Sequence, residues 1–143
     1  MEALMTLNCS NYSESLVDIL KVFREIGWNM HNLQGKIEYL PIGDDDEYNW
    51  QSAEISEDEL YEIILEKIAK KEQVGVNLFY SNGTEGVSLL AYGTGEIVLS
   101  IDINRKIAKW RNTDMVWYLE NIIYKFFEID VRLLSYKLEE YED

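Results

Sequence analysis

The chain has one cysteine, one histidine, one proline and fewer than half as many basic as acidic side chains. Each shortage excludes something. Cys9 alone cannot close an internal disulfide, which removes the stapled secreted class and points to a reducing compartment. With one His31 and one Cys9, zinc lacks its usual ligand set. No apolar run approaches the roughly 18–20 residues of a membrane-spanning helix. Met1–Ser10 carries acidic Glu2, no basic stretch and too short an apolar core for an export signal, so a cytoplasmic protein is expected. Without a secretory route, the sequons at Asn8, Asn11 and Asn82 carry no chemical meaning. P-loop, dinucleotide and nucleophile-elbow motifs are missing too; Gly93-Thr94-Gly95 has neither the third glycine nor the following helix, and reads as a turn.

What is abundant is acid and aromatic surface. Against 13 Lys and Arg stand 27 Asp and Glu, giving a formal net charge of −14 and a pI near 4.4. Disordered acidic chains are poor in aromatics and β-branched residues. This one has ten Tyr, four Trp and four Phe in 143 residues, 47 % of them hydrophobic, so it folds, and its length suits one domain.

Periodicity places the elements. Ala3–Asn8 reads as a first strand. Leu16, Ile19, Leu20, Phe23 and Ile26 recur at helical steps after a cap at Asn11 or Ser13, and Gly27 stands where a helix ends in the left-handed region. Lys36–Leu40 is a strand; Gly43–Ile55 shows no periodicity. Ser56 and Glu59 have capping-box spacing, and Leu60, Ile64 and Ile68 form the inner stripe of a second helix, widened by Tyr61, Ile63 and Leu65. Lys67, Lys70 and Lys71 suit the negative end of its dipole. Gly75–Tyr80, Gly86–Tyr92 and Glu96–Ile103 form a meander, with Asn82-Gly83 predicting a type I′ turn. The apolar runs at Leu89–Ala91 and Ile97–Leu99 suggest strands covered on both faces or well buried. A third helix from about Asp114 to Phe127, capped by Thr113, a strand Val131–Leu138 and an acidic tail Glu139–Asp143 complete the order β-α-β-α-β-β-β-α-β. This is an α+β pattern: one domain over residues 1–143, with a mainly antiparallel sheet of five to six strands packed with about three helices.

Catalytic parts are few. His31 sits in the polar loop Asn29–Gly35 with no sequence-adjacent nucleophile or orienting carboxylate. Cys9 follows a strand and precedes a possible helix start, where a thiol pKa can fall; the plainer reading is a half-buried thiol. Asp44-Asp45-Asp46-Glu47 fails the calcium-loop template, because Tyr48 occupies the fifth position, Asn49 replaces the glycine, and Ile55 stands where a bidentate Glu belongs. The expectation is a non-enzymatic protein with no cofactor and no metal.

The acids are unevenly placed. Between Lys36 and Lys67 there are eleven and no base: Glu38, Asp44, Asp45, Asp46, Glu47, Glu54, Glu57, Asp58, Glu59, Glu62 and Glu66. Tyr39, Tyr48, Trp50 and Tyr61 are interleaved with them. A solvated loop and an acidic first helical turn would account for some of this. Eleven like charges nevertheless repel one another, and rings beside carboxylates suit an interface that steers in a basic surface. The candidate partner-binding residues are Asp44, Asp45, Asp46, Glu47, Tyr48, Trp50, Glu54, Glu57, Asp58 and Tyr61. The opposite cluster, Arg105, Lys106, Lys109 and Arg111 with Trp110, faces the repulsive field of a −14 protein, so phosphate binding is not expected and pairing with acids of the fold is.

In build, the chain resembles the immunity proteins of bacterial polymorphic toxin and contact-dependent growth-inhibition systems. The likeness lies in the Leu16–Trp28 helix ending Ile26-Gly27-Trp28 and the acidic Gly43–Trp50 loop, with the meander ending Ser100–Arg105 and the Trp117–Ile123 helix. It implies a cytosolic α+β domain, monomer or weak dimer, that binds a cognate basic toxin domain and blocks its active or substrate surface. No nucleic acid or membrane is implied as a direct partner. Two alternatives stay open: an acidic nucleic-acid mimic acting against a defence effector, and a small enzyme or ligand-binding domain using Cys9 or His31.

Overall fold

A computed structural model describes residues 1–142; of the expected acidic tail, Asp143 lies outside the described residues. The chain forms β1 (Glu2–Asn8), α1 (Leu16–Glu25), β2 (Trp28–Asn29), β3 (Ile37–Tyr39), β4 (Gln51–Ala53), α2 (Glu57–Ala69), β5 (Val74–Tyr80), β6 (Gly86–Ala91) and β7 (Glu96–Ile103). A small hairpin follows, β8 (Ile107–Lys109) and β9 (Asn112–Thr113). Next come α3 (Met115–Tyr118), a π-helical turn (Leu119–Ile123) and α4 (Tyr124–Glu128) in unbroken succession, and then β10 (Ser135–Tyr141). The main sheet runs β10-β1-β7-β6-β5-β3-β4, with β2 also on β5, and every pair is antiparallel. The α+β class and the antiparallel sheet are as expected, with more strands than the five or six read from sequence.

Alternation divides the sheet into two faces. Ala3, Met5 and Leu7 of β1, Val74, Val76 and Leu78 of β5, Val87 and Leu89 of β6, and Ile97, Leu99 and Ile101 of β7 all join one buried cluster. Leu16, Ile19 and Phe23 of α1, Leu60 and Ile64 of α2, and Ile122, Ile123 and Phe126 of the last helix join the same cluster, so the helices share one face. On the other face Leu4, Thr6, Leu90, Val98 and Ser100 stay half-exposed. The apolar runs in β6 and β7 therefore mark buried strands with helices on one side only.

Local signals explain most boundaries. Ser15, not Asn11 or Ser13, caps α1 by accepting from the Asp18 N–H, and Gly27 follows at φ +103°. Ser56 caps α2 by accepting from the Glu59 N–H at 3.1 Å. Several expectations need correction. Asn82 and Gly83 are not at positive φ; a four-residue loop with a Gly83 N–H to Tyr80 carbonyl bond replaces the type I′ turn. Asp114, not Thr113, caps α3, because Thr113 belongs to β9 and gives its N–H to Glu140. The last strand lies at Ser135–Tyr141 rather than Val131–Leu138, because it pairs β1 in the register Met5 to Leu138 and Val131 is used to close the helix, donating to the Phe126 carbonyl at 2.9 Å.

Candidate functional site

The acidic stretch folds as a loop and a helix held together by one buried base. The Lys67 side chain is only 1 % exposed; its Nζ donates to the Pro41 carbonyl at 2.6 Å and lies 3.5 Å from Glu72 Oε1. The same Glu72 oxygen accepts the Gly43 N–H at 2.7 Å, so the chain entering the loop is fastened at Pro41 and Gly43 to the end of α2. Lys67 stands in the last turn of α2, as its place near the negative end of the dipole suggested, and in addition its stem is buried and its ammonium captured. The inner face of α2 is Leu60, Ile64 and Ile68 as expected, with Tyr61 also packed on the core and Lys67 buried beside them, while Leu65 is exposed.

Asp44 leaves the partner-binding set. It is 6 % exposed, and its carboxylate accepts the Tyr48 N–H at 2.9 Å and the Asn49 N–H at 2.8 Å, which shapes the loop from within. Asp45, Asp46 and Tyr48 sit at φ between +53° and +57°, so the loop coils tightly and turns these side chains outward. Asp46 accepts from the Tyr92 hydroxyl at 3.4 Å, and Asp44–Asp46 border a cleft shared with Lys70 and Lys71. Glu47 accepts from the Asn49 side chain. Trp50, partly exposed, lies over Gly75, where a Cβ would stand 3.1 Å from the ring and 2.6 Å from Leu40.

The remaining candidates lie near the other end of α2, which at 13 residues is roughly 20 Å long. Glu57 is ion-paired with Arg24 of α1. The Tyr61 ring carries the Lys21 ammonium 5.6 Å from its centroid, and burial, then Glu57, pushes its hydroxyl pKa up. These two residues brace α1 against α2. Glu54 and Asp58 have no cation partner among the described residues. Between the two ends runs a groove of about 450 Å³ lined by Ile42, Glu59, Glu62, Ile63 and Glu66. Of its acids only Glu66 is paired, with Lys70 at 3.7 Å. Sequence reasoning left this groove out of the site, although Glu59, Glu62, Ile63 and Glu66 share one helix face by their three- and four-residue spacing.

Cys9 and His31 lie apart. Cys9 follows β1 and His31 bridges to Ile37 of β3, and with β7, β6 and β5 between those strands they stand roughly 19 Å apart by strand spacing. His31 Nε2 donates to the Ile55 carbonyl at 2.9 Å, tying the loop after β2 to the segment after β4. It borders a cleft of about 330 Å³ with Glu38, Phe79 and Asn104, and Glu38 is occupied by the Asn32 and Asn77 amides. Burial pushes the Cys9 thiol up to about 12, the opposite of an activated nucleophile. Cys9 is therefore expected to react with a thiol reagent at least about a hundredfold more slowly in the native protein than in urea, as an absorbance time course would show. A raised thiol pKa also means the unfolded chain loses its proton first. Its contribution to stability is thus intact below about pH 9 and declines as pH rises from there towards 12.

In the basic cluster, Arg105 pairs with Glu140 at 3.6 Å and Lys106 with Glu85 at 3.9 Å, as expected. Among the described residues Lys109 and Arg111 pair with no acid; Lys109 lies 4.6 Å over the Trp110 ring, which is 80 % exposed at the hairpin tip. No helix among the described residues is long and apolar enough to cross a membrane. The chain matches no known family model, no curated protein and no solved structure.

Proposed function

We propose that this chain is a non-catalytic immunity protein that binds a basic toxin domain through the outer side of α2 and the adjoining acidic loop. One observation carries the reading. Among the described residues Glu59 and Glu62 have no cation partner, and with Glu66 they line a groove whose apolar lining is Ile42 and Ile63; Asp45 on the loop, and Glu54 and Asp58 near the start of α2, are likewise without one. Unpaired carboxylates attract a basic surface over a Debye length and speed encounter, while the apolar floor supplies area to bury once the partner is seated. The loop is held in place beforehand by Lys67, Glu72 and Asp44, so little ordering is left for the binding step.

The test reverses charges that carry no structural bond. Asp45→Lys with Glu62→Lys leaves the Asp44 and Lys67 anchors untouched. The wild type, used as bait in a lysate of its source cell, is expected to capture a basic protein encoded beside it. Association with that protein measured by stopped flow should slow about ten- to a hundredfold in the double variant, and the wild-type rate should fall steeply with salt. An on-rate indifferent to both salt and charge reversal would leave the acids as a solvated face only.

A further inference from the structure

We infer that β10 is a self-pairing edge through which two copies of this chain join their sheets about a twofold axis. β10 has seven residues and one neighbour, β1, on one side. Among the described residues no other segment makes a backbone hydrogen bond to it. At the opposite edge β4 has only three residues. A long edge strand with a free row of N–H and C=O groups is a template for another strand unless proline, a bulge, a covering element or uncompensated charged side chains block it. β10 has no proline, and its ladder to β1 runs without a register shift. The β8–β9 hairpin reaches it through the Glu140 side chain alone, at Thr113 N and Asn112 Nδ2, and leaves the backbone edge uncovered.

The sequence of the strand selects the second copy as occupant. Pairing with β1 puts Ser135, Lys137, Glu139 and Tyr141 on the open face and Tyr136, Leu138 and Glu140 on the helix side. In an antiparallel twofold pair, opposed residues must share a face, so the axis passes through a residue. With the axis at Leu138, Lys137 of each copy meets Glu139 of the other, Leu138 meets Leu138, and Tyr136 covers the stem of Glu140. Shifting the axis to Lys137 or to Glu139 sets two like charges directly opposite each other, which destabilises a ladder. Only the Leu138 register satisfies both charges. Lys137 is the one base on the strand, and it already lies 3.1 Å from Glu139 of its own chain on the same face. The two acids of the open face are therefore drawn into a four-membered charge cluster rather than left opposed. Tyr136, about half exposed with Leu134 just before the strand, adds apolar area beside the axis. Two copies of charge −14 repel, so the pairing is weak and reversible.

Sedimentation velocity on the whole protein over a concentration series tests this. The wild type is expected to show a concentration-dependent dimer. Lys137→Glu places glutamate opposite Glu139 twice and should weaken the dimer about tenfold. The double swap Lys137→Glu with Glu139→Lys should restore it, whereas Lys125→Glu, with the same net charge as the single variant but on α4, should leave it unchanged. Amide exchange of the folded wild type should slow in β10 as concentration rises. A chain monomeric to about 1 mM overturns the proposal. So does a dimer insensitive to Lys137→Glu, or one weakened equally by Lys125→Glu.

Discussion

Replacing Trp28 with alanine is expected to lower the unfolding free energy by about 3–5 kcal/mol, read as a shift of the urea midpoint by circular dichroism. Trp28 is wholly buried, and its ring packs 5.3 Å from Tyr80 and 6.1 Å from Trp117. Removing it creates a cavity in the most aromatic part of the core. The ring also holds an irregular helix together. Its Nε1–H donates to the Asn121 carbonyl at 3.0 Å, in the middle of the π-helical turn. Asn121 accepts from the Tyr80 hydroxyl at 3.0 Å and donates its own amide to the Trp117 carbonyl at 2.8 Å. A π turn interrupts the regular ladder, and these side-chain groups satisfy what the ladder leaves. Trp28→Phe separates the two contributions. It keeps most of the buried ring but leaves the Asn121 carbonyl without its donor, so a smaller loss of about 1–3 kcal/mol is expected. If Trp28→Ala lost under about 1 kcal/mol, this box would not be a packing centre.

Lys67→Ala is expected to lower stability by about 2–3 kcal/mol and to free the acidic loop. Breaking a buried pair by removing one partner is costly because the other is left desolvated. Here the value falls towards the lower end, since the Glu72 side chain keeps 20 % exposure and retains the Gly43 N–H. The Pro41 carbonyl loses its 2.6 Å donor outright. Lys67→Met keeps the length of the stem, so the difference between the two variants isolates packing from the ammonium. Limited proteolysis supplies the local readout. Cleavage within residues 43–50 should rise in both variants before global unfolding does, and unchanged cleavage would mean that Asp44 alone shapes the loop. Because the loop borders the proposed partner surface, both variants should also bind a basic partner more weakly at unchanged net charge from residues 44–66.

Elements whose signals are local were legible beforehand. The Ser56 cap, the Gly27 stop and the strand pattern of the meander depend on residues within a few positions of each other, and the structure has them. The Asn82-Gly83 pair misled because the same dipeptide also suits a four-residue loop, and the choice rests with the Tyr80 and Glu85 backbone bond across it. The position of the last strand depended on its ladder to β1, more than a hundred residues earlier, so periodicity alone placed it several residues too early. Within the acidic stretch, number and sign were readable. Which carboxylates are free was not, because Asp44 spends its oxygens on two backbone N–H groups and Glu57 meets an arginine from another helix.

From the sequence alone came the α+β class, the start of α2 at its Ser56 cap, the strong acidity and the confinement of eleven acids to one base-free stretch, all properties of composition and short-range spacing. Tertiary structure decided that Lys67 is buried beneath that stretch, that Ile42 and Ile63 floor a groove between its acids, and that β10 is left as a long open edge. The physical reason is the same in each case. Burial, pairing and edge position are relations between residues far apart in the chain, and they exist only once the sheet has brought those residues together.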